Sequence, residues 1–554
     1  MCNTLVKIAS AVVLIIAIIL NFFGNLFGIG DIIPTEPKTT ESTSVSQSVT
    51  YPAETTTKEF TTEESTTEPV TEPSTEITTV PTTEPTTKET TLQPSTDPIT
   101  TRPTTTKEFG PKVESATQEN FASFGGSNTD TFTGIDTTSG GGYVVCGVTA
   151  STDGMLENVP ADSWSESYAF VSKYDKNMNL EWIKSVGSDY ASVRIEDVAV
   201  LSDGSVVAVG YTTADDFASA SKYKGTIESF VIKYSSNGNV QWKKLFGGSG
   251  NDMLMCVEPL GSGFVAGGKT DSKNGSFADN TENSNSNALL MSFDANGNKL
   301  WCKYLSGNYG ASVDGIATDS DGNIFITCVT AASTGDFKID GMGKGYLDTA
   351  VIKFNSSGER KWAFAVASSG RDNFRAIVAD ENGGCVVAGN YELVTTYAPD
   401  GTFENLHNCG GIDAVAIRIN SNGTKRWERS VAGFSDDFIN DIAMTGNGGF
   451  AVVGYTSSGN RDFASVGNKG QSDAFTAFLT PAGNLADVKA NGGARKDMAT
   501  CAAYTTAGKL IVLGQSTSSD GDFDGMNSHL SDTFINLFGD AFTGYMTKYG
   551  VSIY

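Results

Sequence analysis

The chain has 554 residues, with 38 basic against 64 acidic side chains, 61 glycines, eight cysteines and two histidines. A formal charge of −26 argues against a nucleic-acid binder, which needs an extended run of cations along the phosphates. His407 and His529 alone cannot build a His-rich zinc site or a paired-histidine mechanism.

Residues 1–30 carry a nearly unbroken apolar run from Ile8 to Leu20, extended through Phe22, Phe23 and Phe27. Crossing a bilayer core takes about twenty such residues. Lys7 is the cation ahead of the run and places the N-terminus inside. The residues that follow are bulky or glycine and offer no small-residue cleavage site. The segment therefore reads as an uncleaved signal-anchor, a transmembrane helix, with a cleaved secretion signal as the alternative. Either one exports the rest, to the cell surface or to the medium.

Residues 31–110 are mostly Thr, Ser, Pro and Glu, as in Thr82-Thr83-Glu84-Pro85-Thr86-Thr87. So few apolar side chains cannot offset the entropy of ordering, and a disordered, extended stalk is expected. Its composition suits O-glycosylation.

From residue 120 to 554 the chain repeats. Tryptophans at 182, 242, 301, 362 and 427 recur at gaps of 60, 59, 61 and 65 residues. Each closes a hairpin phrase such as Phe230-Val231-Ile232-Lys233-Tyr234-Ser235-Ser236-Asn237-Gly238-Asn239-Val240-Gln241-Trp242, two alternating runs around a turn. Upstream stands a second phrase, Asp203-Gly204-Ser205-Val206-Val207-Ala208-Val209-Gly210-Tyr211-Thr212, whose copies end at Gly147, Gly210, Gly268, Cys328, Gly389, Gly454 and Gly514. A moderately apolar strand precedes each. Four short strands per repeat, seven times, predict an all-β, seven-bladed β-propeller with four-stranded blades. The last repeat lacks its fourth strand, and Asn120-Phe121-Ala122-Ser123-Phe124-Gly125-Gly126 supplies one with no third strand ahead of it. The N- and C-terminal strands are thus expected to close one blade and remove the open edge.

The pattern Asp-Gly-x-Val-x-Val-x-Gly-x-Thr, then Asp-Phe, Asp-Ala-Phe-Val-x-Lys, Gly-x-x-x-Trp and Gly-Gly resembles the bacterial SBBP-type β-propeller repeats and is similar to the delta-60 repeats. The resemblance covers residues 120–554. It implies extracellular surface proteins without a shared activity. The departures are Cys328 where a strand glycine is expected, Leu485 in place of a sixth tryptophan, and an irregular insertion at 391–412.

Several features compete as sites. An Asp after Gly-Gly recurs at 130, 252, 372, 437 and 497; recurrence in nearly every blade marks it as a turn acceptor rather than a cation ring. Asp520, Asp522 and Asp524 spell the opening of a calcium loop, although Ser531 stands where the bidentate Glu belongs and Asp522-Phe523 is repeat background. The repeated Trp reads as packing between sheets; quinone-enzyme and sialidase-like readings of it lack their acids and bases. Seven of the eight cysteines lie in the repeats, an odd number mostly within strands, and read as buried free thiols. Trp164, off the repeat, joins Tyr391, Tyr397, Phe403 and His407 of the insertion as the expected binding surface.

No catalytic residue and no cofactor is nominated. The expected function is a membrane-anchored extracellular binding, adhesion or scaffold module whose partner is a protein or a polysaccharide. The alternative is an exported carbohydrate-active enzyme, with Asp436 and Asp437 as acid and base, or a carbohydrate-binding module, which would need an exposed aromatic platform.

Overall fold

The computed structural model describes residues 113–553 apart from 127, 152, 155–167, 188–190, 215–216, 218–224, 283–285, 393–400, 404–405, 407–409 and 526–542. The expected anchor and stalk lie outside this set. Among the described residues no helix is long and apolar enough to cross a membrane.

The described strands form seven four-stranded antiparallel sheets. Blades 1 to 6 are contiguous, at 130–186, 193–246, 252–305, 315–366, 371–431 and 437–491. Blade 7 takes its first two strands from Asp497–Tyr504 and Lys509–Ser516, its third from Thr543–Ile553 and its fourth from Val113–Phe124. The closing strand begins at Val113, ahead of residue 120.

Each sheet packs against two neighbours, so its second and third strands are apolar on both faces. Val206–Thr212 and Glu228–Tyr234 are buried almost throughout, whereas the first strands alternate. Seven apolar clusters result, one between each pair of neighbouring blades. Six cysteines are free within this framework and five of them are buried, as packed thiols should be.

The glycine that recurs near the end of the second strands has a steric cause. A bulge in the first strand brings a carbonyl against it: a Cβ on Gly210 would lie 1.9 Å from the Arg194 oxygen, and on Gly454 1.8 Å from that of Phe438. Cys328 escapes because the first strand of blade 4 is cut to Gly315–Thr318, with no bulge at that level.

The tryptophans lock blade to blade. Trp182 Nε1 donates to the Ser236 carbonyl of the next hairpin at 3.1 Å, Trp301 to Ser356 at 3.1 Å, Trp362 to Ser421 at 2.9 Å and Trp427 to Pro481 at 3.1 Å. Each ring lies over the left-handed glycine of that hairpin, and at Gly238 (φ 79°), Gly297 and Gly483 a Cβ would lie within 2.7 Å of it. Strand register corrects one sequence reading. Asp487, opposite Phe478, holds the sixth tryptophan position, just as Trp242 stands opposite Lys233; Leu485 aligns with Val240.

Candidate binding face

One face carries the connections between blades and the long loops between second and third strands. The geometry that recurs there from blade to blade is polar and internal. Asp437 is fully buried; it accepts the Gly433 amide at 2.7 Å, the Ser458 hydroxyl at 3.1 Å and the Thr456 hydroxyl. Asp130, Asp252 and Asp497 repeat this set on Gly126, Gly248 and Gly493 and on paired Thr or Ser hydroxyls. Burial pushes the Asp437 carboxyl up to about 6 against the pull of these donors. The recurring Asp is therefore a turn acceptor. Asp436, exposed, turns one oxygen to the Ile412 amide at 3.0 Å, so the adjacent pair does not converge as an acid and a base.

The expected calcium loop is also a repeat device. Gly521–Phe523 forms a 3₁₀ turn like Gly275–Phe277, Gly335–Phe337 and Arg461–Phe463. Asp520 accepts the Ala494 amide at 2.8 Å; Asp522 accepts the Gly492 amide at 2.9 Å and pairs with Lys469 at 2.6 Å. Asp520 and Asp522 thus each serve a backbone amide of the preceding blade junction, as the repeat requires. Among the described residues no group of three or more His, Cys, Asp or Glu side chains is arranged to hold a metal.

The expected aromatic surface divides. Trp164, Tyr397 and His407 lie outside the described residues. Tyr391 and Phe403 are corrected: both are fully buried and stacked at 4.5 Å in the core between blades 4 and 5. Tyr391 continues the second strand of blade 5, and Phe403 fills the site of Phe277 and Phe463 at the end of the common 3₁₀ turn, so repeat packing claims both. The sequence signal was an irregular insertion, yet part of it is the ordinary repeat.

Other aromatics are exposed. Tyr309, Tyr346 and Phe434 are 59%, 71% and 61% accessible. Tyr309 lies in the connection from blade 3 to blade 4, and Phe434 in that from blade 5 to blade 6. Tyr346 abuts the connection between them, its amide donating to the Gly370 carbonyl at 2.9 Å. These rings form an arc, one per blade junction, on a single face. Aligning the repeats could have found two of them, because Ser249 and Ala494 hold the place of Phe434, and Thr226 and Gln471 that of Tyr346; the connection that carries Tyr309 has Ala311 where the others have Asp.

The channel inside the first strands is a cavity of about 490 Å³ lined by Asp136, Glu196, Asp197, Glu258, Asp314, Asp441 and Arg375. Several of these acids stitch neighbouring blades: Asp136 accepts the Val200 amide at 2.7 Å, Asp197 that of Val257 at 2.9 Å, and Asp441 that of Ala502 at 2.8 Å. Surrounding protein pushes Asp136 up to about 6, Asp441 to about 7 and Asp197 to about 8, the last also through the charges of Asp136 and Asp441. Sequence reading missed these acids because each position is acidic in only some blades: Asp197 and Asp441 share the place just after the first-strand bulge, where blades 1, 3 and 7 have Gly134, Cys256 and Cys501, and Asp136 and Glu258 share the place two residues further on.

The strand pairing thus defines a seven-bladed β-propeller with a terminal closure. No family model matches the chain. Over 192 residues it is 24% identical to the regulatory protein FlaEY of Caulobacter vibrioides, covering 34% of this chain and 20%, about a fifth, of that relative's length. Among solved structures, the WD40 β-propeller domain of Doa1 is 10% identical over 80% of this chain and 98% of its own, with a TM-score of 0.39. A catalytically inactive virginiamycin B lyase from Staphylococcus aureus is 8% identical over 78% and 99%, with a TM-score of 0.36. Neither likeness carries an argument about function.

Proposed function

We propose that this chain is a binding module of the cell surface, held by residues 1–30, spaced by the stalk of residues 31–110 and presenting the connection face of its propeller. Its repeats belong, in this reading, with the SBBP-type family. The observation that carries the binding role is the arc of Tyr309, Tyr346 and Phe434. Three large exposed rings on the connecting loops of one face, at places that other blades fill with residues such as Ser249, Ala494, Thr226 and Gln471, favour contact with a partner. They also supply the aromatic platform that a carbohydrate-binding module requires. The test is retention of the full chain on surface proteins and, in parallel, on polysaccharides. Binding that falls on substitution of these three rings supports the role, and a chain that nothing retains overturns it.

A further inference from the structure

Three observations converge on the arc over blades 4 to 6. The first is charge along the arc. The Arg461 guanidinium lies 5.6 Å from the centre of the Phe434 ring, and the backbone around Tyr346 carries two exposed cations, Lys344 two residues ahead of it and Arg371 bridged to Leu347. Among the described residues none of these three cations has an ion pair, although Lys469 and Arg429 on the same face do. Asp436, the exposed acid beside Phe434, is turned to a backbone amide.

The second is strain. Arg461 has φ 52°, left-handed, where the equivalent turns carry Gly275, Gly335, Gly401 and Gly521 at φ 61° to 63°. An L-residue there is unfavourable by roughly 1 kcal/mol or more. Glycine would fit the turn without that cost, so what the arginine adds is its side chain over the exposed ring.

The third is spacing. The rings lie at three successive blade junctions, each among Ser, Gly and Asn residues, and no ring pair among them is in contact, whereas a stable protein interface needs one apolar centre. Isolated rings suit a chain of sugars, each offering C–H groups to one ring face. Arginine beside the ring suits a carboxylate or sulfate on the same sugar.

We propose that this arc binds an acidic polysaccharide, with Tyr346 and Phe434 stacking on sugar rings and Arg371 and Arg461 pairing with their anionic groups. The proposal rests on the binding-module reading above and names its ligand class. The full-length chain is run by affinity electrophoresis through gels containing polygalacturonate, dextran sulfate, methyl-esterified polygalacturonate or dextran, with surface-protein retention measured in parallel. Retardation is expected with the two acidic polymers, weakening with salt, and strongest with polygalacturonate if carboxylate is the group read or with dextran sulfate if sulfate is. Tyr346→Ala and Phe434→Ala each weaken it about tenfold with unchanged melting temperature. Arg461→Gly is the sharper variant: it removes strain, so the melting temperature holds or rises, while retention falls severalfold. Retention on the neutral polymers or on proteins alone overturns the ligand class and leaves the binding role intact. Retention on the acidic polymers that Arg461→Gly and Phe434→Ala leave unchanged overturns the assigned residues. Retention by nothing overturns both.

Discussion

The five seams that run from blade 1 to blade 6 and the two seams that flank blade 7 solve one packing problem differently. In the five, a tryptophan lies over a left-handed glycine of the next hairpin. Blade 7 has no hairpin between its third and fourth strands, because those strands come from opposite ends of the chain. A tryptophan on blade 6 would therefore find no turn to dock on. Asp487 stands there instead and accepts the Ala116 amide of the closing strand at 3.0 Å. On the other side Asn120, opposite Lys548, takes the tryptophan position of blade 7. The facing hairpin of blade 1 then no longer needs glycine, and Met178, at φ 70°, packs into the seam. The lesson is that each residue of the repeat is kept only where its partner exists.

The largest effect expected from breaking this pattern is at the closure. Deleting residues 113–124 strips the fourth strand from blade 7 and exposes the edge of the third. Size-exclusion chromatography should show aggregates or strand-exchanged oligomers; a well-folded monomer would mean that the ring is held without its terminal strand. At a regular seam, Gly423→Val sets a side chain against the Trp362 ring, 3.0 Å from where a Cβ would lie, and adds left-handed strain. A loss of about 3 kcal/mol or more is expected in denaturant unfolding. Trp362→Ala, at a half-buried ring, should cost about 2–3 kcal/mol. Met178→Gly, by contrast, should cost about 1 kcal/mol at most, because no ring demands the space. Equal losses at Gly423 and Met178 would remove the distinction between the two kinds of seam.

The smallest effect is a pH slope from the channel. Burial holds Asp136, Asp441 and Asp197 at about 6, 7 and 8, above the ~3.9 of an unfolded aspartate. Over that window the folded state keeps protons that the unfolded chain has shed. Stability is therefore greatest at the acid end and falls as pH rises from about 4 through 8. Exposed acids such as Asp294, held low by the Asn298 amide, act only below the window. Melting temperature should be higher at pH 5.5 than at pH 8.5, and Asp197→Asn, which removes the charge and keeps an acceptor for the Val257 amide, should flatten the slope. A rise with pH would show that the blade-stitching carboxylates are ionised in the folded ring.

The repeat, the seven blades and the terminal closure are all legible in the chain's residue pattern. Alternating strands and turn residues are local and survive without neighbours, and a missing fourth strand at one end matched by an orphan at the other leaves a ring as the simplest solution. The same pattern separates the recurring Asp from a cation site, since a device present in nearly every blade serves the blade. Which departures from the repeat face solvent follows from packing between blades. Tyr391 and Phe403 lie in an irregular stretch and yet fill core sites, whereas Tyr346 and Phe434 sit in regular connections and are exposed. Burial depends on what the next blade brings to the same place. That neighbour lies about sixty residues away in the chain for most seams, and at the opposite end of it for one.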